Sequence, residues 1–112
     1  MKHLVRLALP LATLIVPVHP AIHTLANISG TSAVVALASS GSDVARWIQV
    51  SAPSGNAAHI RFGDSATSST RGIDIAPGGA YSTPTCQTCQ YPLTGTYIYV
   101  ATGDTASVAW GN

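Results

Sequence analysis

Short runs of apolar and β-branched residues, separated by turn residues, fill the chain from Ala33 onward, and this pattern constrains the fold most. Short strands at close intervals are typical of antiparallel sandwiches and barrels, and no long helical period interrupts them. We therefore predict an all-β fold, a small antiparallel β-sandwich. The predicted strands are Ala33–Ala38, Ala45–Ser51, Ala58–Gly63, Gly72–Ala76, Thr96–Ala101 and Thr105–Trp110, with a weaker one at Ala80–Thr83.

Alternation within these runs predicts which side chains are buried. Successive residues of a strand face opposite sides, so Ile60 and Phe62 should share the core face while Arg61 lies toward solvent. The same rule places Trp47 on the opposite side from Ile48 and the valine that follows two residues later. That strand should therefore carry apolar surface on both faces.

Turn residues predict how the strands are joined. Pro53-Ser54-Gly55-Asn56 and Pro77-Gly78-Gly79 are predicted turns, because proline presets one backbone dihedral and glycine frees the next. The segment Gly63–Thr70 is a predicted surface loop. Residues 97–100 and 106–110 are predicted to form a terminal hairpin across Thr102-Gly103-Asp104.

The first 32 residues differ in character from the rest. After the basic residues Lys2, His3 and Arg6, the segment Leu7–Val18 is apolar except for Thr13. Such a start is also typical of a secretory signal, which would be removed from the mature protein. If it is retained, we predict an extended apolar arm over residues 1–32, followed by the sandwich over residues 33–112.

Three prolines bear on the predicted conformation of this arm. Pro10, Pro17 and Pro20 interrupt the apolar stretch, and a membrane-spanning helix needs about 20 uninterrupted apolar residues. We therefore expect no membrane span. Proline also favours an extended conformation in the residue before it, which supports the arm.

Charge is scarce in the whole chain. Only 8% of the residues are charged, against about 25% in ordinary soluble domains, and glutamate is absent. A free monomer normally stays soluble through interspersed charges, so we expect partner molecules to cover much of this surface. The five Lys and Arg residues are dispersed and the net charge is +1, which gives no electrostatic basis for binding nucleic acid.

Cys86 and Cys89 are a candidate for redox or zinc chemistry. We interpret them as a local loop-closing disulfide or as two reduced thiols, because they lie in a proline-flanked loop rather than at a helix start. A zinc site would need two further ligands, and Pro20 separates His19 from His23. We therefore predict no metal site.

No residue pattern indicates catalysis. The aspartates lie in or beside turns or on an outward strand face, and the loop serines 65, 68 and 69 lack the nucleophile motif of hydrolases. We predict that the chain is not an enzyme and uses no cofactor or small-molecule substrate. Trp47, Trp110 and the tyrosines could alternatively form a platform that stacks against sugar rings, but core and contact roles are favoured.

Several short motifs follow one another in a fixed order. They are Phe62-Gly63-Asp64-Ser65, Arg71-Gly72-Ile73, Pro77-Gly78-Gly79, Tyr97-Ile98-Tyr99-Val100, and Gly103-Asp104 through Val108-Ala109-Trp110-Gly111. With them, the stretch from Arg46 to Gly111 resembles small virion proteins of tailed bacteriophages, the capsid decoration or cement proteins. The apolar arm and the insertion around Cys86 depart from that pattern.

The resemblance implies a jelly-roll-like sandwich at the capsid surface of a virion. Such a protein binds the outside of the shell and bridges neighbouring major capsid subunits, so its partners are the major capsid protein and further copies of itself. We expect the arm to make the anchoring contacts by adding a strand to an exposed sheet edge. The predicted contact residues are Leu7, Leu9, Leu11, Leu14, Ile15, Val16, Ile22 and Trp47.

Two alternatives stay open at this point. One is a head- or tail-fibre component of the virion. The other is a secreted carbohydrate-binding or adhesive module whose signal peptide has been cleaved.

Overall fold

The computed structural model describes residues 21–112, and within this range every strand pairing is antiparallel. The prediction of an all-β antiparallel fold is confirmed. A short 3-10 turn, Leu93–Gly95, is the one helical element among the described residues. The strands are β1 Ile22–Thr24, β2 Ile28–Ser29, β3 Ala33–Ala36, β4 Val44–Ala45, β5 Trp47–Ser51, β6 Ile60–Gly63, β7 Ile73–Ile75, β8 Ala80–Ser82, β9 Tyr91–Pro92, β10 Tyr97–Val100 and β11 Thr105–Gly111.

Two sheets form the sandwich. Sheet I has the order β1-β11-β5-β8, with β2 also paired to β11, and sheet II has the order β3-β10-β6-β7. The pairs are nested along the chain: β1 with β11, β3 with β10, β5 with β8, and β6 with β7. This nesting is consistent with a jelly roll, in which one long hairpin of strands is folded over into two sheets.

The core lies between the two sheets and is built from alternate residues of each strand. Ile48 and Val50 of β5 are fully buried, and Ile60 and Ile98 from sheet II are buried against them. The predicted inward positions of Ile60 and Phe62 are thus confirmed. Burying such side chains contributes about 1.5–3 kcal/mol each, which makes this core the main source of stability.

Four crossovers between the sheets meet at one end of the sandwich, which we call the Asp104 end. They are residues 30–32, 52–59, 76–79 and 101–104. The Asp104 carboxylate, only 7% exposed, accepts hydrogen bonds from the backbone N–H groups of Ala57 and Ala58, both at 2.9 Å. The Asp104 carbonyl accepts a third, from Gly30. One residue therefore holds three crossovers together.

Gly30 is required where two of these crossovers touch. A Cβ atom at this position would lie 1.8 Å from the Ala101 carbonyl oxygen, far inside van der Waals contact. Asn56 adds a reciprocal pair of hydrogen bonds with the backbone of Thr105, at 2.8 and 3.0 Å. The Asp104 end is therefore closed by hydrogen bonds from two short polar side chains to the backbone, and not by packing of large side chains.

The predicted terminal hairpin is wrong. Strands β10 and β11 do not pair with each other: β10 lies between β3 and β6 in sheet II, while β11 lies between β1 and β5 in sheet I. The turn itself is present, with Gly103 at a φ of 93° and a hydrogen bond from Asp104 N–H to the Ala101 carbonyl. It crosses between sheets because the Asp104 side chain is bound to the β5–β6 crossover instead of standing free at a hairpin tip.

The other predicted strands correspond to observed ones, and four short strands were not predicted. Two of these, β1 and β2, lie within the segment 1–32 that was interpreted as the arm, and they are part of sheet I. The other two, β4 and β9, form a small two-stranded ribbon at the opposite end from Asp104. Three of the four, β2, β4 and β9, are only two residues long and carry too little alternation to be recognised from sequence.

Replacing Asp104 with alanine should destabilise the fold strongly. Two backbone N–H groups, of Ala57 and Ala58, would lose their charged acceptor, so we expect the free energy of unfolding to fall by about 3 kcal/mol. Urea denaturation followed by tryptophan fluorescence measures this. Asp64→Ala is the control, because Asp64 is exposed and its carboxylate caps only Ala66 N–H. An equal loss in both variants would contradict the central position of Asp104.

Candidate functional site

The outer face of sheet I carries no charge. Register and alternation place twelve described residues on this face in four rows across the strands. All twelve are small, amide or apolar, and none is charged. The rows are Ile22, Gly111 and Trp47; Thr24, Ala109, Gln49 and Ser82; Ser107, Ser51 and Ala80; and Ser29 and Thr105.

One row of this face brings together two residues that were predicted to make contacts. Ile22 of β1 and Trp47 of β5 lie on either side of Gly111 in β11. A Cβ atom on Gly111 would lie only 2.3 Å from the Trp47 indole nitrogen, so the indole lies directly over the glycine. Ile22 is 74% exposed. We call Ile22, Trp47 and Gly111 the Trp47 patch, and this end of the sandwich the Trp47 end.

A loop closed by a disulfide bond borders the Trp47 patch. Cys86 and Cys89 form a disulfide, and the Cys89 N–H donates to the Cys86 carbonyl at 3.2 Å. The Arg46 guanidinium donates to the Gln87 carbonyl and so connects the loop to the residue before Trp47. An open depression of about 500 Å³ lies between the loop and the indole. The disulfide thus fixes the shape of one wall beside Trp47.

The remaining predicted contact residues lie outside the described part of the chain. They are Leu7, Leu9, Leu11, Leu14, Ile15 and Val16. The segment that contains them leads into β1 at the Trp47 end, because the pairing of β1 with β11 ends at Ile22 and Gly111. The described chain therefore begins beside the patch.

The outer face of sheet II has a different chemistry. Asp74 Oδ1 lies 2.7 Å from His59 Nδ1 and 3.7 Å from Arg61 Nε, so three ionisable groups are clustered there. Tyr97 and Tyr99 share this face with Arg61. The two outer faces of the sandwich are therefore unequal: one is charged and the other is not.

The aromatic residues do not form a single platform. Trp110 points into the core, where it is stacked on His23 with ring centroids 4.2 Å apart, and it is only 7% exposed. Trp47 lies on the outer face of sheet I, and Tyr97 on the outer face of sheet II. The aromatic side chains that would have to lie together in a sugar-stacking site are therefore on different faces of the sandwich.

The other candidate groups are also separated. Within residues 21–112, no three histidine, cysteine or acidic side chains come close enough to hold a metal ion. Ser68 pairs with Arg71 across the loop that follows β6, and Asp64 caps the start of that loop. The same range contains no helix with the length and apolar character to cross a membrane.

No protein-family model, no curated protein and no solved structure matches this chain. Its functional interpretation therefore depends on its own residues and their geometry.

Sequence reasoning selected Ile22 and Trp47 but missed Gly111 between them. Its only signal is alternation: Trp110 points inward, so Gly111 must occupy the outer face. Which residues flank it depends on how β1 and β5 pair with β11, and pairing between distant segments is not encoded locally. The proximity of the disulfide loop to Trp47 was missed for the same reason.

Placing alanine at Gly111 should displace the Trp47 indole. The new methyl group would overlap the ring, so we expect a red shift in tryptophan emission and faster quenching by acrylamide as Trp47 becomes exposed. Gly55→Ala is a matched control, because a Cβ atom at Gly55 has no neighbour within 4 Å. Identical spectra for the two variants would contradict the packing of Trp47 on Gly111.

Proposed function

We propose that this protein is a virion structural protein, a decoration or cement protein. It binds the outside of a capsid, bridges neighbouring major capsid subunits, and associates with further copies of itself. The observation that carries the proposal is the uncharged outer face of sheet I. The apolar sequence of residues 7–16 supports it, because β1 begins at the Trp47 end of that face.

The unequal faces support attachment through sheet I. The cores of protein interfaces are poor in charged residues and rich in aromatic ones. The Trp47 patch fits that description, whereas the face with Asp74, His59 and Arg61 fits one that stays in water. We therefore place sheet I toward the capsid and sheet II toward solvent.

The fold supports the same proposal by analogy. Double-sheet jelly rolls occur in viral capsid proteins and in lectins, and one fold serves many functions. The order of motifs between Arg46 and Gly111, which resembles small virion proteins of tailed phages, favours the first of these classes.

The mechanism is mechanical rather than chemical. A shell under internal pressure separates at the joints between its subunits, and a protein bound across a joint opposes that separation. Each copy needs to contribute only a few kcal/mol, because many copies act in parallel on a closed lattice. The apolar residues 7–16 would add a second contact beside the Trp47 patch and so hold each copy at two points.

A charge placed on the contact face should release the protein from particles. We expect Ile22→Asp to lower the number of copies per particle by about tenfold or more, because an unpaired charge buried in an interface costs several kcal/mol. Val34→Asp is the control: Val34 is a similarly apolar, exposed residue on the outer face of sheet II. Quantitative mass spectrometry of purified particles gives the number.

Removal of residues 2–16 tests the second contact in the same assay. We expect the shortened chain to dissociate from particles at lower temperature than the full-length chain. Unchanged copy numbers for both Ile22→Asp and the shortened chain would rule out attachment through the Trp47 end.

A second candidate function is a secreted adhesive or carbohydrate-binding module. The Cys86–Cys89 disulfide favours it, because disulfides persist in oxidising surroundings outside the cell. The surface of a virion is equally oxidising, so the disulfide is compatible with both candidates. The intact mass of the native protein separates them: a chain that begins near Asn27 supports secretion, and one that retains residues 1–20 supports the virion.

A further inference from the structure

An apolar groove opens on the flank of the sandwich between the free edges of β7 and β8. Tyr81 points inward from β8, and its ring lies 6.3 Å from that of buried Phe62. Ile73 on β7 lies beside Phe62 in the ladder and is 37% exposed, so the core reaches the surface here. The groove encloses about 320 Å³.

Its outer wall consists of aromatic and proline side chains. The Tyr91 hydroxyl donates to the Pro84 carbonyl at 2.8 Å, which fixes the Tyr91 ring against the disulfide loop. Pro92 continues the wall, and Asp64 is the single charged residue that lines the groove. Tyrosines and prolines in this arrangement form the kind of surface that binds proline-rich peptides in an extended, left-handed conformation.

The chain itself contains such a peptide. Residues 17–20 read Pro-Val-His-Pro, and a polyproline helix repeats every three residues, so Pro17 and Pro20 would face the same side. This segment lies among the apolar residues that precede β1. We propose that the groove binds Pro17–Pro20 of a neighbouring copy of this chain.

The distance from β1 to the groove decides whether the motif binds the groove of its own chain or that of a neighbouring copy. The groove lies beyond β8, and β8 is three strands away from β1, or about 14 Å at the usual spacing between strands. Pro20 is two residues before Ile22, so it can lie at most about 7 Å from it. Pro20 of the same chain therefore cannot reach the groove, so the motif cannot bind its own groove with both prolines.

The inference rests on the proposed function in one respect: a protein that bridges capsid subunits as a lattice needs contacts between its copies, and the groove would supply such a contact. Residues before Pro17 would remain free to contact the shell. Each copy would give its proline segment to one neighbour and receive another, which is a head-to-tail contact that closes into a ring or continues along a lattice.

Cysteine cross-linking in the full-length chain tests the contact. One protein carries Val18→Cys and a mass tag, and the other carries Gly95→Cys, which lines the groove. A Cβ atom at Gly95 would meet only Pro92, at 3.5 Å and beyond, which is ordinary packing. The matched control is Gly55→Cys, at the Asp104 end, where a Cβ atom has open space. All proteins retain the native disulfide.

We expect the mixture with Gly95→Cys to give a mixed dimer under mild oxidation, roughly tenfold more than the mixture with Gly55→Cys, because binding raises the local thiol concentration. Adding Pro17→Ala and Pro20→Ala to the tagged chain should reduce the yield to that of the control. A peptide digest of the dimer locates the bond.

Three results would overturn the proposal. One is an equal yield with Gly95→Cys and Gly55→Cys. Another is a predominantly intramolecular bond in a single chain that carries both Val18→Cys and Gly95→Cys, which would place the segment in its own groove. The third is a native protein whose intact mass lacks residues 17–20. Copy numbers on particles are measured separately, so loss of the cross-link with normal attachment refutes this contact and leaves the proposed function standing.

Discussion

The buried carboxylate of Asp104 is the interaction on which the arrangement of the sheets depends. It accepts hydrogen bonds from the N–H groups of Ala57 and Ala58, while the backbone carbonyl of Asp104 accepts one from Gly30. Three crossovers between the sheets are thereby held at one point. Because the side chain is bound to the crossover after β5, the turn at Gly103 leads from sheet II into sheet I. The nested pairing of the strands depends on this change of sheet.

The Asp104 end is closed by hydrogen bonds to the backbone, and exposed apolar surface lies at the opposite end, the Trp47 end. At the Trp47 end, the disulfide loop, the indole over Gly111 and the beginning of β1 are close together. The groove between β7 and β8 opens at the same end, because the loop that contains Pro84 and Tyr91 forms its wall. The two ends therefore differ: one fixes the topology, and the other carries exposed apolar side chains.

The candidate site was predictable in part. Alternation correctly placed Trp47 on the opposite face of its strand from Ile48, and the uncharged face on which it lies agrees with the scarcity of charge in the chain. The partners of Trp47 were not predictable, because Ile22 and Gly111 are joined to it only through the pairing of three distant strands. Trp110 was also not predictable: Gly111, the next residue, faces outward beneath Trp47, whereas the Trp110 side chain is buried against His23.

The sequence by itself determined the class of fold, the position of most strands and the inward face of strands with one polar side, such as β6, because these follow from local alternation and turn chemistry. Only the tertiary structure decided that β10 and β11 lie in different sheets, that β1 and β2 belong to the sandwich, and that His59, Arg61 and Asp74 lie together on one outer face. The physical reason is that register and sheet membership are set by contacts between residues far apart in the chain. Such contacts leave no periodic trace in any single segment.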